Sequence, residues 1–235
     1  MVVPAFNEEV RLAVTLPAML AHLEATHRSF EILVADDGST DATSRVAESF
    51  AGRGVRTLRC ASNLGKGAAL RTGVLASQGK TVLLTDADLS TPITELERLE
   101  PHLGRADMVF GSRAVAGAKI DHPQPVFRQW MGKTFNLMIR LLVAGGIRDT
   151  QCGFKLLDGD AARAVFADLR LDGFAYDVEL LWLARRRGLR VVEVGVAWNH
   201  SPDSRVHLVT DSARMALDIL RIRLLHGRPR HGRKR

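Results

Sequence analysis

The sequence has 235 residues, of which 46% are hydrophobic and 25% are charged, a composition typical of a globular chain with a single core. No apolar stretch approaches the roughly 20 residues that span a bilayer, and residues 1–20 lack the basic and apolar regions of a signal peptide, so we expect neither a membrane-spanning nor a secreted protein. Its two cysteines, Cys60 and Cys152, are too few for a disulfide framework and are predicted to be free thiols.

The net charge of +7 is unevenly distributed along the chain. Residues 226–235 contain five of the 33 Lys and Arg residues and no acidic residue, which leaves 28 basic against 26 acidic side chains elsewhere. This basic tail is either a solvated, disordered end or an element that binds an anionic membrane or nucleic acid. Because the body is nearly neutral, we predict no nucleic-acid partner.

Strands and helices alternate through the first half of the chain. Short runs rich in Val, Ile and Leu predict strands at Met1–Pro4, Phe30–Asp36, Val55–Arg59, Thr81–Asp86, Asp107–Gly111 and Arg190–Trp198. Helices are predicted at Glu9–Thr26, Asp41–Arg53, Lys66–Ser77, Thr94–Leu103, Ala161–Leu169 and Asp177–Arg187. The alternation predicts an α/β fold, with a mainly parallel sheet and helices on both of its faces.

Two further predicted helices, Phe127–Val143 and Asp211–Leu225, carry apolar side chains interspersed with basic ones. Such a helix either packs its apolar face on the core or lies in a membrane interface. The second helix is amphipathic and continues into the basic tail. We therefore predict a catalytic domain at 1–208, an amphipathic helix at 209–225 and a disordered tail at 226–235.

The strand predicted at Thr81–Asp86 ends in two carboxylates one residue apart, Asp86 and Asp88. Side chains at positions i and i+2 of a strand point the same way, and open α/β sheets bind ligands at the carboxyl ends of their strands. Two oxygen donors at such a place suit Mg²⁺ or Mn²⁺ held together with substrate phosphates. The alternative is a solvated turn with two acidic residues.

The preceding strands also end in polar motifs. The second strand leads into Asp36 and Asp37, which helix capping does not explain, and an Asp at a strand end can accept an N–H of a nucleotide base. The segment Asn63–Gly67 precedes a helix, where small residues and the cation of Lys66 favour phosphate. Its glycines are equally suited to tight packing.

Taken in order, these motifs resemble the family 2 inverting glycosyltransferases of the GT-A (Rossmann-like) fold. The matching segments are Val3–Glu8, Ala35–Asp41, Asn63–Gly67 and Asp86–Asp88, followed by Gly111–Arg113, Arg128–Arg140 and Asp149–Lys155. Over roughly residues 1–200 the chain looks like the polyprenyl-phosphate (dolichyl-phosphate) sugar synthases. Asp177 stands where mannose-transferring relatives commonly have Gln and the glucosyl-transferring branch has Asp, which favours a UDP-sugar over GDP-mannose.

The resemblance implies a division of the site between donor and acceptor. The nucleotide-sugar would contact Pro4, Ala5, Phe6, Glu8, Asp37, Lys66, Asp86, Ala87 and Asp88, with the base at Asp37 and the metal at Asp86 and Asp88. The acceptor phosphate would contact Arg113, Arg128 and Lys155. The residues implied in catalysis are Asp88, Asp177, Arg113 and Arg128, with Asp177 either touching the sugar or acting as a base. The alternatives are a surface ion-pair partner for Arg113 and a snorkelling helix residue for Arg128.

The resemblance also implies an activity: metal-dependent transfer of a hexose from a nucleotide-sugar to polyprenyl phosphate, with inversion, on the cytoplasmic face of an anionic membrane. A phosphate monoester is already charged near neutrality, so as a nucleophile it has little need of a general base. It needs cations that bring two anionic substrates together and a metal that stabilises the departing diphosphate. The alternatives are a GDP-mannose-dependent enzyme and a soluble acceptor.

Overall fold

A computed structural model describes residues 1–26, 29–122, 146–199, 217–218 and 221–227. Its nine strands in these ranges are β1 (Val2–Ala5), β2 (Ile32–Asp36), β3 (Val55–Arg59), β4 (Thr81–Leu84), β5 (Met108–Ser112), β6 (Lys119–His122), β7 (Lys155–Asp158), β8 (Val191–Gly195) and β9 (Ala197–Asn199). The named helices are α1 (Glu9–Ala25), α2 (Thr43–Glu48), α3 (Lys66–Ala76), α4 (Leu96–Leu99), α5 (Gly159–Asp168) and α6 (Tyr176–Arg186).

Seven strands form one sheet in the order β3-β2-β1-β4-β7-β5-β8, and β6 pairs with β9 in a second, two-stranded sheet. Neighbouring strands of the large sheet run parallel except at β7, which is antiparallel to both β4 and β5. The predicted mainly parallel sheet is therefore confirmed. The first four strands along the chain are followed by the polar motifs at their carboxyl ends, and they are consecutive in the sheet, in the order β3-β2-β1-β4.

The hydrophobic core lies on both faces of this sheet. Val2 and Leu33 face a cluster that includes side chains of α3, α5 and α6. Val3 and Val34, the next residues along the same strands, face a cluster formed with α1 and α2. Successive side chains of a strand point to opposite faces, so continuous apolar runs such as Ile32–Ala35 are buried on both sides. The predicted helices on both faces are confirmed.

The structure departs from the predicted strands in three places. Strands β6 and β7 were not predicted, because each is four residues long and includes both a lysine and an aspartate. The predicted strand Arg190–Trp198 is divided into β8 and β9, which belong to different sheets. Strand β4 ends at Leu84, so the Asp86–Asp88 pair lies in the turn after the strand and not on the strand itself.

The predicted helix Phe127–Val143 and most of Asp211–Leu225 lie outside the described residues. Residues 221–226 are helical, and Ile222 is fully buried against Val178, Leu181 and Trp182. Leu224 is 84% exposed on the other side of the same turn. This part of the predicted amphipathic helix therefore packs one side on the protein. In the ranges that the structure describes, every helix is too short or too polar to cross a membrane.

Candidate functional site

The loops that follow β1 and β2 are held together by a ladder of hydrogen bonds. The backbone N–H of Asn7 donates to the Ser39 hydroxyl at 2.9 Å, and that of Glu8 donates to the Thr43 hydroxyl at 2.7 Å. The Asn7 side-chain oxygen accepts the Thr40 N–H at 2.8 Å. The predicted nucleoside residues, which all lie at the end of β1 beside these loops, are Pro4, Ala5, Phe6 and Glu8.

The two carboxylates at the end of β2 are buried and hold neighbouring loops. Asp36 accepts the Ser39 N–H at 2.8 Å and the hydroxyl of Ser44. The two oxygens of Asp37 accept the N–H groups of Leu64 at 2.9 Å and Gly65 at 2.7 Å. Burial raises the pKa of the Asp37 carboxyl despite these two bonds. Asp37 therefore fastens the loop before α3 to the sheet, and its contact with a base stays a prediction.

The glycines at the start of α3 allow another segment of backbone to approach. A Cβ added at Gly65 or Gly67 would overlap the backbone carbonyls at Leu171 and Asp172, and Gly65 has a positive φ of 119°. The Asp172 carbonyl also accepts the N–H of Ala68 at 3.2 Å. Of the two roles predicted for these glycines, the structure shows the tight packing.

The turn after β4 carries an ion pair that solvent can reach. The Lys66 ammonium lies 2.6 Å from the Asp86 carboxylate, and their side chains are 21% and 36% exposed. Burial of Asp86 opposes its ionisation, but Lys66, Lys155 and Arg113 outweigh it and lower the pKa of the carboxyl. The backbone at Gly153 covers another side of Asp86, where a Cβ would overlap the carboxylate. Asp86 is thus an anion with one open side.

Asp88 stands in the same turn, two residues further on. Its Oδ1 accepts the N–H of Ser90 at 2.9 Å, and Leu89 between them has a positive φ of 47°. The carbonyl of the buried Ala87 accepts the Thr15 hydroxyl at 2.8 Å, which ties the turn to α1. In the part of the chain that the structure describes, no three His, Cys, Asp or Glu residues form a cluster able to hold a metal ion. Among the described residues, Asp86 and Asp88 are therefore a set of two carboxylates.

A second ion pair lies inside the protein. The Lys155 ammonium, 0% exposed, is 2.5 Å from the Asp177 carboxylate and donates to the Cys152 carbonyl at 2.5 Å. It also lies 5.1 Å from the centre of the Phe110 ring and 5.8 Å from that of Tyr176. Burial raises the pKa of Asp177 even though Lys155 and Lys66 favour the anion. The acceptor-phosphate role of Lys155 stays a prediction, since its described contacts are internal.

The third ion pair fastens the end of β5. Arg113 makes a two-pronged contact with Asp149, through Nε at 2.7 Å and Nη2 at 2.9 Å, and its guanidinium lies 5.3 Å from the Trp198 ring centre. Burial opposes ionisation of Asp149, but Arg113 outweighs it and lowers the carboxyl pKa. Glu193 accepts the N–H groups of Arg148 at 2.7 Å and Asp149 at 2.8 Å.

Most of the predicted site residues lie at one edge of the large sheet, where its parallel strands have their carboxyl ends. Arg128 lies outside the described residues. Asp149 and Glu193 were not predicted as site residues. Asp149 stood within a matching segment, so its motif was a usable signal, whereas Glu193 had none because it lies in an ordinary β-strand.

Comparison with known proteins supports the resemblance. A family model described as "Glycosyl transferase family 2" matches residues 1–166. The chain is 36% identical to the mouse protein named "Dolichyl-phosphate beta-glucosyltransferase", over 95% of this chain and 74% of that protein. It is 35% identical to the human protein of the same name, over the same shares of the two sequences.

Solved structures show the same fold at low sequence identity. Glucosyl-3-phosphoglycerate synthase from Mycobacterium tuberculosis, crystallised with phosphoglyceric acid, superposes with a TM-score of 0.67 at 17% identity, covering 94% of this chain and 78% of that one. Mannosyl-3-phosphoglycerate synthase from Rubrobacter xylanophilus gives a TM-score of 0.68 at 19% identity, over 100% and 77% of the two chains. The M. tuberculosis enzyme has also been crystallised with Mn²⁺ and uridine diphosphate. With the family model matching most of its length, this chain belongs to glycosyl transferase family 2 and is a glycosyltransferase.

Proposed function

We propose that this glycosyltransferase moves glucose from UDP-glucose to a polyprenyl phosphate at the cytoplasmic face of a membrane. The observation that carries this proposal is the 36% identity, over 95% of the chain, to a protein named dolichyl-phosphate β-glucosyltransferase. Asp177, the residue that resembles the glucosyl-transferring branch, supports glucose over mannose. Its carboxylate is part of the charged network that also contains Lys66 and Asp86.

The donor diphosphate is proposed to bind at the turn after β4 with Mg²⁺ or Mn²⁺ held by Asp86 and Asp88. Two carboxylates fit this role, because these ions are commonly bound through one or two carboxylates together with substrate phosphates. When bound, the metal would neutralise charge that develops on the departing diphosphate. Lys66, whose pKa is raised by Asp86 and Asp177 against the effect of burial, stays cationic and supplies a further positive charge.

The acceptor phosphate is proposed to bind Arg113 and Arg128. Arg113 keeps a partly exposed guanidinium while Asp149 orients it through two parallel bonds. An arginine held in this way can present its remaining N–H donors to phosphate without losing further conformational freedom. Because the phosphate is itself a charged nucleophile, Asp177 is proposed to contact or orient the sugar.

The decisive experiment incubates the protein with a panel of UDP- and GDP-sugars, a polyprenyl phosphate and Mg²⁺ or Mn²⁺, and identifies the lipid product by mass spectrometry. We expect a glucosyl-phosphoryl lipid that forms only with UDP-glucose and metal. Formation of a mannosyl lipid from GDP-mannose would show that the donor is GDP-mannose and not UDP-glucose. Donor turnover on a water-soluble phosphate without lipid would overturn the acceptor assignment.

Contact with an anionic membrane is proposed to involve the basic residues 228–235 and the exposed Leu217 and Leu224. Basic residues near an anionic surface contribute about 1 kcal/mol each, and exposed leucines add apolar burial. Removal of residues 228–235 should reduce sedimentation with phosphatidylserine vesicles, and high salt should do the same to the intact chain. Equal vesicle binding by the shortened chain would remove the tail from the interface.

A further inference from the structure

Glu179 is a fully buried carboxylate to which the proposed function gives no role. It lies on α6, two residues after Asp177. Its oxygens accept the N–H groups of Arg170 at 3.0 Å and Leu171 at 2.7 Å, and its Oε1 lies 2.5 Å from Nε2 of His226. A buried carboxylate is costly unless it is hydrogen-bonded. These partners therefore account for its presence in the core, and two of them are loop backbone.

His226 brings the end of the described chain to this carboxylate. It closes the helical turn 221–226, and Ile222, four residues earlier, is fully buried against Val178 and Trp182. Residues four apart lie on the same face of a helix. The turn is thus docked on α6 by one apolar and one polar contact. The Oε1–Nε2 contact is a hydrogen bond between the Glu179 carboxyl group and the His226 ring.

The backbone that Glu179 holds leads directly to the donor side of the site. Leu171 is followed by Asp172, whose carbonyl accepts the Ala68 N–H at 3.2 Å. Arg71 binds the Leu169 carbonyl at 3.1 Å and the Asp172 carboxylate at 2.8 Å. Helix α3, which both contacts hold, begins at Lys66.

A continuous series of direct contacts therefore runs from the C-terminal helical turn to the ion pair of the candidate site. It passes from His226 to Glu179, then through segment 169–172 to the first turn of α3 and so to Lys66 and Asp86. The links between segments are hydrogen bonds or ion pairs, and the chain itself joins Leu171 to Asp172 and Ala68 to Lys66. Loss of the first contact leaves Oε1 of the buried Glu179 with the Arg170 N–H as its remaining hydrogen-bond partner among the described residues.

We propose that Glu179 and His226 are positioning residues of the donor site, which set the place of Lys66 by fastening segment 169–172 and the C-terminal helical turn to α6. The proposal rests on the proposed function for the identity of the donor. Neither residue touches the nucleotide-sugar. Their substitution should therefore change donor affinity indirectly, by altering the start of α3. The altered start of α3 should also appear as lower protection of its backbone amides from hydrogen exchange in the ligand-free protein.

The test compares His226→Ala, His226→Gln and the control His102→Ala, the last being the same substitution at an exposed histidine outside the site. Calorimetry measures UDP-glucose affinity in the presence of Mn²⁺, and amide hydrogen exchange measures protection of residues 64–71 and 170–172 in the ligand-free protein. Thermal melting establishes that each variant is folded. Gln retains an N–H donor at a similar reach, so it separates loss of the bond from loss of the imidazole.

We expect His226→Ala to weaken UDP-glucose binding about three- to tenfold, less than direct loss of a charge-assisted bond, because the effect is transmitted through the loop. Exchange of residues 64–71 and 170–172 should accelerate in the same variant. His226→Gln should recover part of both effects, and His102→Ala should match the wild type. Unchanged affinity and unchanged exchange at 64–71 in a folded His226→Ala would overturn the proposal, as would faster exchange confined to 170–172.

The Glu179→Gln variant provides a second, independent test of the proposal. If the two residues act through one contact, Glu179→Gln combined with His226→Ala should lose less affinity than the product of the two single effects. Fully multiplicative effects would contradict a shared contact. Should the wild type fail to bind UDP-glucose, the proposed function fails, whereas the exchange measurements still decide whether the contact series exists.

Discussion

Two ion pairs in the site, Lys66–Asp86 and Lys155–Asp177, have the same chemistry and opposite surroundings. The first is partly exposed, and its carboxylate lies in a turn after β4. The second is closed inside the protein between β7 and α6, with the ammonium 0% exposed. The pKa of Asp86 is lowered by its cationic neighbours against the effect of burial, whereas burial raises that of Asp177.

The difference indicates what each pair can do. A partly hydrated pair can exchange its partner for a metal ion or phosphate at small cost, because water compensates the separated charges. A buried pair cannot be separated without leaving an uncompensated charge in the core. We therefore assign ligand exchange to the first pair and orientation of the surrounding residues to the second. Four measurements test this contrast.

The largest effect is expected from the acidic turn itself. Asp88→Asn and Asp86→Asn should each reduce turnover by about 10²- to 10³-fold or more, because each removes a proposed ligand of the metal on the leaving diphosphate. Chelation of metal from the wild type should have the same effect in initial-rate assays. Asp160→Asn, at a side chain that is 98% exposed, is the matched control. Full activity in chelator would exclude the metal role.

Substitution of the two lysines should affect different properties: that of Lys155 the stability of the fold, and that of Lys66 the binding of the donor. Lys155→Met leaves Asp177 buried and unpaired, and should lower the free energy of unfolding by about 3–5 kcal/mol. Lys66→Met should lower it by only about 0–1 kcal/mol, as for a partly exposed pair, while weakening donor binding. Urea unfolding and nucleotide calorimetry measure the two quantities. Equal losses of unfolding free energy in the two variants would contradict the distinction between a partly exposed and a buried ion pair.

Asp37 tests whether a buried carboxylate that holds a loop also contributes to donor binding. Asp37→Ala should weaken UDP binding by about 1.5–3 kcal/mol, because it removes either a charge-assisted bond to the base or the bonds that hold Leu64 and Gly65. Calorimetry with UDP and GDP measures the loss. If affinity for both nucleotides is unchanged, neither the carboxylate nor its loop belongs to the nucleotide site.

The smallest effect concerns the dependence of stability on pH. A lowered carboxyl pKa stabilises the fold above the ordinary value of 3.8 for Asp, and for Asp86 this contribution is lost as the pH falls through the folded-state pKa. For Asp177, whose pKa is raised above 3.8, stability should increase as the pH falls towards that value. The slope of the unfolding free energy against pH, measured from pH 7 to pH 3, should therefore differ from wild type below pH 3.8 in Asp86→Asn and above it in Asp177→Asn. Differences in the opposite pH ranges would contradict these assignments.

Prediction from sequence succeeded where local pattern dictates structure. The apolar runs of β1 and β2 were located within two residues, because a strand covered on both faces needs such a run. The pattern failed for β7, whose four residues include Lys155 and Asp158. A lysine within a central strand is tolerated only because Asp177 and the Cys152 carbonyl meet it there, and no local pattern reveals those partners.

Periodicity and ordered motifs were enough to identify the family, the mainly parallel sheet and the positions of Asp37, Asp86 and Asp88 just after strands. Which charged side chains meet was settled by the tertiary structure. It paired Lys66 with Asp86, turned Lys155 inward to Asp177, and brought His226 to Glu179 across 47 positions of the chain. Ion pairing depends on distance and burial, and both are set by how distant segments pack.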